Sequence, residues 1–331
     1  MTILVTGVAG FIGSYVAHDL LARGESVVGI DNLNDYYDAG LKNARIESLI
    51  AHPAFTFEKL DFADNAALQA LGAEYKFDRV VHLGAQAGVR HSLENPSAYI
   101  QANMVGYANI LELCRHITDF KHLVYASSSS VYAGSPETPF NEAMTCDTPV
   151  SLYAATKRSN ELLSQSYAHL YGIAVTGLRF FTVYGPWGRP DMAPWLFTDA
   201  ILNGRPIKVF NNGDMRRDFT YIDDIVEGVI SALDLAPISD GTEHMRHSAA
   251  PHRIFNLGNN KPVALMDFIH EIELATGREA EKIMLPMQDG DVIETYADLS
   301  KSRSILGFQP KTSLSEGIPK FVDWFRAYKG L

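Results

Sequence analysis

Short apolar runs alternate with longer amphipathic stretches through the first half of the chain, and this alternation predicts most of the fold. Thr2 to Thr6 is β-branched and apolar, the pattern of a buried strand, and Ser14 to Arg23 has helical spacing. Ser26 to Ile30 predicts a second strand ending at Asp31, and Phe55 to Leu60 a third ending at Asp61. Asp64 to Tyr75 reads as a helix, and Arg79 to Leu83 as a strand entering the segment Gly84 to Gly88. Pro96 to His116 reads as one long helix, with Tyr99, Asn103, Ile110 and Leu113 near helical spacing. Lys121 to Ala126 predicts a strand, followed by four serines, Ser127 to Ser130. A helix through Tyr153 and Lys157 reaches Tyr171, and Ala174 to Phe181 is again an apolar strand. Strands and helices alternating in this way indicate an α/β fold, a doubly wound parallel sheet of the Rossmann type.

The second half is less regular. The run 182–191 holds two prolines and two glycines, which predicts irregular structure and the passage into a smaller C-terminal substrate-binding domain. Ile207 to Phe210 predicts a short strand, and Asp218 to Leu235 runs into a helix. Pro237 to Pro251, rich in Ser, His and charge, reads as an exposed loop. With no rigid element to fix His244, His247 and His252, that region predicts no metal site. The expected division is residues 1–180, joined by parts of 218–250, and a second domain mainly within 181–331.

A length of 331 residues suits two domains. The net charge of −11 and the lack of a basic run argue against nucleic acid as a partner. Cys114 and Cys146 form no metal or redox spacing, which suits a reducing compartment. No apolar segment is long enough to span a bilayer, and no basic region precedes the apolar N-terminus. The expectation is a soluble cytoplasmic protein with no membrane partner.

Candidate chemistry sits where the strands end. Gly7, Gly10 and Gly13 lie between a strand and a helix, the context of a dinucleotide-binding turn, where glycine lets the backbone approach a pyrophosphate. Asp31 stands about 20 residues further on, where a ribose hydroxyl is held, and its charge disfavours a 2′-phosphate; NAD is expected over NADP. Tyr153 and Lys157, four apart, share one helix face. A cation one turn away is expected to lower the phenol pKa from about 10 and make Tyr153 a general acid/base for a hydroxyl.

The glycine pattern, Asp31, Asp61, the serine run and Tyr153-x-x-x-Lys157 together resemble an extended short-chain dehydrogenase/reductase, and within it the NAD-dependent nucleotide-sugar epimerases. Gln86 to Arg90 and Arg179 to Met192 are most similar to UDP-glucuronate 4-epimerases, though Ala133 and Asp289 depart from the usual pattern. The resemblance implies interconversion of UDP-glucuronate and UDP-galacturonate through a transient 4-keto sugar. It implies proton transfer by Tyr153, support from Lys157, and a bridging hydroxyl from Ser128 with Ser129 and Ser130 beside it. Cofactor contacts implied in the same way come from Gly7, Gly10, Phe11, Ile12, Gly13, Asp31, Asn32, Asp61, Phe62, Leu83, Ala85, Gln86, Asn103, Ser127 and Phe180. The anionic substrate is matched with Arg90, Arg189, Arg217 and Thr182, and the uracil with Phe210. A homodimer through the Pro96–His116 and Ser151–Tyr171 helices is also implied.

Other outcomes stay open: epimerisation of UDP-glucose or a UDP-N-acetylhexosamine, 4,6-dehydration, or an NAD-sensing protein without turnover. Dehydration and decarboxylation call for an acid at the serine run, where this chain has hydroxyls only.

Overall fold

In the computed structural model, which describes residues 2–135, 137–238, 250–288 and 291–331, seven apolar runs pair into one parallel sheet. Its strands in chain order begin with β1 (Thr2–Thr6), followed by α1 (Phe11–Ala22), β2 (Ser26–Asp31), α2 (Ala39–Ile50) and β3 (Phe55–Lys59). Then come α3 (Asn65–Glu74), β4 (Phe77–His82), two single turns α4 (His91–Glu94) and α5 (Pro96–Tyr99), α6 (Tyr107–His116) and β5 (His122–Ser128). The helix α7 (Leu152–Tyr171) leads into β6 (Val175–Phe180). The second half adds β7 (Thr182–Tyr184), α8 (Ala193–Leu202), β8 (Ile207–Val209), β9 (Arg216–Tyr221) and α9 (Ile222–Asp234). It closes with β10 (His252–Leu257), β11 (Pro262–Ala264), α10 (Leu265–Thr276), β12 (Lys282–Met284), α11 (Ser300–Leu306) and α12 (Leu314–Lys329).

The order across the sheet is β10-β6-β5-β4-β1-β2-β3. Direction of winding reverses between β1 and β4, and a doubly wound sheet opens its ligand crevice at that switch. Local chemistry sets the boundaries. The Asp64 carboxylate caps α3 by accepting from the Ala67 N–H, and the Ser151 hydroxyl caps α7 by accepting from Ala154 at 3.1 Å. Gly172, at φ 68°, ends α7 in the left-handed conformation. At the chain end Ser313 and Glu316 form a capping box on α12.

Several expectations need correction. Pro96 to His116 is helical throughout but not one α-helix: a π-helical segment, Ile100–Gly106, separates α5 from α6. Asn103 within it turns inward to the backbone of Gln86, and Phe62 packs against Gly106 where a Cβ would sit 2.5 Å from its ring. The run after Phe181 is not wholly irregular: Thr182–Tyr184 precedes its first glycine and pairs in parallel with β9. Phe210 lies outside the strand expected for it and starts a 3₁₀ turn after β8. His252 is not in a solvated loop. It opens β10, is 2% exposed, and packs its ring between Tyr125 and Gln165. His244, His247 and Asp289 lie outside the described residues.

The large sheet therefore takes its seventh strand from beyond residue 250, and α9 packs against α1 on its face. The remainder forms small sheets, β11-β9-β7 and β12-β8, around an aromatic core. Phe219 stacks on Phe268 at 4.2 Å, while Trp195 meets Trp324 and Phe325 of α12.

Candidate active site

One cleft of about 1110 Å³ runs along the carboxyl ends of the large sheet and under the small sheets. Every catalytic, cofactor and substrate candidate from the sequence lines it except Asn103. Asn103 stands behind, with its side-chain oxygen accepting from Gln86 N–H at 2.8 Å and its nitrogen donating to Gln86 O at 3.0 Å and Thr156 Oγ1 at 3.1 Å.

The glycine turn lies at the winding switch. Gly7 has φ +68°, and a Cβ on it would lie 2.6 Å from the Gly84 backbone after β4. A Cβ on Gly13 would meet the Gly7 carbonyl at 2.2 Å. No side chain caps α1 and no acid sits in its first turn, so the helix N-terminus faces the cleft with donors free for an anion. The Asp31 carboxylate accepts from Ala9 N–H at 3.2 Å and Leu33 N–H at 2.9 Å, and burial pushes its pKa up. Asn32 donates to Asp61 at 3.0 Å beside it. Gln86 carries a buried side-chain nitrogen with no protein partner. Close-approach turn, uncapped helix, ribose-side carboxylate and unpaired amide together fit a dinucleotide.

Arg45 of α2 is a residue the sequence pattern did not select. Its guanidinium is 2% exposed and donates to Ala9 O at 2.9 Å, Tyr37 Oη at 2.8 Å, Trp187 O at 2.5 Å and Gly188 O at 3.3 Å. It shares the helix stripe of Leu41 and Leu49, and a charge on an apolar stripe is the signal that would have found it.

Mid-cleft, α7 presents Tyr153 and Lys157 on its first turns. Burial pushes the Tyr153 phenol above its usual value; Ser128 and Arg189 pull it down, and Asp191 pushes it up. The expected depression by Lys157 is not what acts here. The Lys157 ammonium donates to the Ala126 carbonyl at 2.8 Å, and burial lowers its own pKa to about 8 against the pull of Glu161. Behind the serines, Glu161 is buried and takes bonds from Arg179 Nε and Nη2, both at 2.7 Å, from Ser127 Oγ at 2.7 Å and from Arg158 at 3.0 Å. Removing either partner of such a pair strands a buried charge at about 3–5 kcal/mol, so the strand end that carries Ser127 and Ser128 is held firmly. Glu161 follows Lys157 by one turn, a spacing that signals a shared face.

At the far end Arg90, Phe210, Arg217 and Asp291 converge. The Arg90 guanidinium lies 4.9 Å from the Phe210 ring centre and 3.1 Å from Asp291. Burial lowers the Arg217 pKa, Asp291 raises it and Arg90 lowers it further, so two cations face one carboxylate. Phe210 is thus a cleft residue rather than core. Asp291 had no sequence signal. Among the described residues no cluster of His, Cys, Asp and Glu could hold a metal, and no helix is long and apolar enough to cross a membrane.

The model of the NAD dependent epimerase/dehydratase family matches residues 3–245, and the chain belongs to that family. It is 47% identical to a probable UDP-glucuronate 4-epimerase of Rhizobium meliloti, over 98% of this chain and 97% of that protein. It is 46% identical to UDP-glucuronate 4-epimerase 4 of Arabidopsis thaliana, over 99% of this chain and 76% of that protein. Among solved structures it resembles the UDP-glucuronic acid 4-epimerase of Bacillus cereus in complex with UDP-glucuronic acid and NAD. The TM-score is 0.89 at 34% identity, covering 99% of this chain and 100% of that one.

Proposed function

We propose that the protein is an NAD-dependent isomerase that interconverts UDP-glucuronate and UDP-galacturonate at carbon 4. The observation that carries this reading is the setting of Tyr153: a dinucleotide cradle on one side, hydroxyls at Ser128 to Ser130 beside it, and the Arg189 guanidinium within electrostatic reach. In this reading residues 1–180 with α9 and β10 hold the cofactor, and the rest mainly holds the UDP-sugar.

Gly7, Gly10 and Gly13 would admit the pyrophosphate, with Phe11 and Ile12 at the uncapped helix start. Asp31 and Asn32 would hold the adenosine ribose, Asp61 and Phe62 the adenine side, and Leu83, Ala85, Gln86, Ser127 and Phe180 the nicotinamide half. Lys157 would hold the nicotinamide ribose while bonded to Ala126 O. When bound, the cofactor supplies reversible hydride acceptance at sugar carbon 4, so no net redox change follows.

As the phenolate, Tyr153 would take the proton of the sugar 4-hydroxyl and so become the neutral phenol, with Ser128 bridging phenol and sugar oxygen. After the 4-keto sugar presents its other face, Tyr153 returns a proton to the new hydroxyl. Arg90 and Arg217 would grip the diphosphate, Phe210 the uracil, and Thr182, Ser129, Ser130 and Arg189 the sugar carboxylate. Oxidising carbon 4 of a uronate makes a β-keto acid prone to lose carbon dioxide, so this grip must hold the carboxylate still and no acid should protonate the enolate. The acid that acts electrostatically on Tyr153, Asp191, is unsuited to that step. Burial raises the Asp191 pKa, yet Arg189 and Tyr36 outweigh it and keep Asp191 ionised. The same argument disfavours 4,6-dehydration.

A homodimer through the 96–116 helical stretch and α7 fits the exposure of Ile100 and Val105 in the π segment and of Leu162, Leu170 and Tyr171 in α7. The decisive experiment is competition between UDP-glucuronate and UDP-glucose with products followed by NMR. UDP-galacturonate should dominate, because a neutral sugar leaves carboxylate donors unpaired at about 1–3 kcal/mol each. Preferred turnover of UDP-glucose, or a UDP-pentose as main product, would overturn the reading.

A further inference from the structure

The loop after β7 holds a contact whose geometry bears on which sugar is bound. Arg189 turns its Nε and Nη2 edge onto the Asp191 carboxylate, at 3.0 and 2.5 Å. The Tyr36 hydroxyl donates to the same carboxylate at 3.0 Å. Tyr36 comes from the connection between β2 and α2, so the contact ties two segments 155 residues apart. Two intervening rings connect it to the base: ring centres are 4.9 Å apart for Tyr36 and His91, 6.0 Å for His91 and Tyr99, and 6.2 Å for Tyr99 and Tyr153.

A guanidinium offers five N–H donors over two edges that can each meet a planar anion. Asp191 takes the side-on edge. The end-on edge, built on Nη1, is not used by that fork, and Arg189 lines the same cleft as Tyr153. The side chains of Arg189 and Asp191 are only 25% and 29% exposed, so the pair is screened from water more than an ordinary surface pair. A loose arginine must be ordered when an anion binds, and that ordering weakens the complex; an arginine already fixed avoids this loss.

We propose that Asp191, braced by Tyr36, is a positioning residue that aims the free edge of Arg189 at the sugar and so sets the preference for a carboxylate-bearing sugar over a neutral one. This rests on the uronate reading above. Asp191 is itself an anion near an anion site, so its role could only be favourable if the aim it gives Arg189 outweighs its repulsion. That balance is measurable.

The test is calorimetric binding of UDP-glucuronate and of UDP-glucose to the NAD-loaded enzyme, for the wild type, Asp191→Ala, Asp191→Asn and Tyr36→Phe. Asp191→Ala should weaken UDP-glucuronate ~10-fold, the worth of a charge-assisted contact, and leave UDP-glucose within about twofold. Asp191→Asn keeps one acceptor and should recover part of the loss. Tyr36→Phe removes one hydroxyl, and its smaller loss, again confined to the uronate, carries the test if Asp191→Ala does not fold. Equal losses for both ligands, or tighter uronate binding by Asp191→Ala, would overturn the proposal. Turnover of the wild type is assayed alongside. Preferential uronate binding without epimerisation would sink the reaction reading alone, whereas equal wild-type binding of the two sugars would sink this one.

Discussion

At one end of the cleft the glycine turn, Asp31, the serine run and the Tyr153 helix each lie in a continuous segment at the end of a strand or the start of a helix. At the other end Arg90, Phe210, Arg217 and Asp291 come from four separate stretches brought together by tertiary packing. A parallel sheet brings its strand ends to one rim whatever the loops contain, so chemistry placed there is positioned by topology. The far end depends instead on tertiary packing of small sheets, where a single misplaced loop moves a ligand contact. The near end should therefore carry the rate and the far end the affinity.

The largest effect expected is at the near end. Tyr153→Phe should cut turnover ~10²–10⁴-fold, the usual contribution of a positioned acid/base, with the fold and cofactor binding kept. Steady-state rates with intact NAD content check this, and a variant within a few-fold of the wild type would break the contrast. Next is Arg217→Ala at the far end. Losing charge-assisted bonds to a diphosphate, about 1.5–3 kcal/mol, should raise KM roughly 10- to 100-fold and leave kcat nearly unchanged. A kcat loss of the same size would show that the far end also shapes the transition state.

The smallest effect per residue concerns the frame that carries the near end. Burial lowers the pKa of His82 to about 3, His122 to about 4 and His252 to about 4, all in strands of the large sheet. They are neutral when folded, while the unfolded chain takes up protons near pH 6.5. Stability should thus fall as pH drops below about 6.5 and level off near the folded values, with a slope of about 1.4 kcal/mol per pH unit for each histidine. His252→Gln should remove one such share. Urea titrations at pH 5 and 6 would show an unchanged slope if the ring is charged in the fold.

The same division explains what the sequence disclosed. Strand ends at Gly7, Asp31, Asp61 and Ser127 were legible because each follows an apolar run whose period marks it. Tyr153 and Lys157 were legible by helix spacing, but the ammonium's bond to Ala126 O was not, since its partner lies 31 residues away. The π segment at Ile100–Gly106 depends on Phe62 and Gln86, and the Asp191 contact on Tyr36. Neither pairing leaves a periodic trace. Thr182–Tyr184 was hidden for another reason: three residues are too few to show a period, and the prolines that follow dominate the composition.

Arg45 has a further consequence for how the enzyme would cycle. One guanidinium holds the Ala9 carbonyl of the glycine turn and the carbonyls of Trp187 and Gly188, next to Arg189. One side chain thereby ties the turn proposed to seat the dinucleotide to the loop that carries Arg189. By whatever factor a seated dinucleotide tightened the sugar through this tie, the seated sugar would tighten the dinucleotide by the same factor. A reaction that removes a hydride in its first half and needs it back in the second would be protected by such reciprocity from stranding its oxidised sugar, through a residue that does not line the cleft.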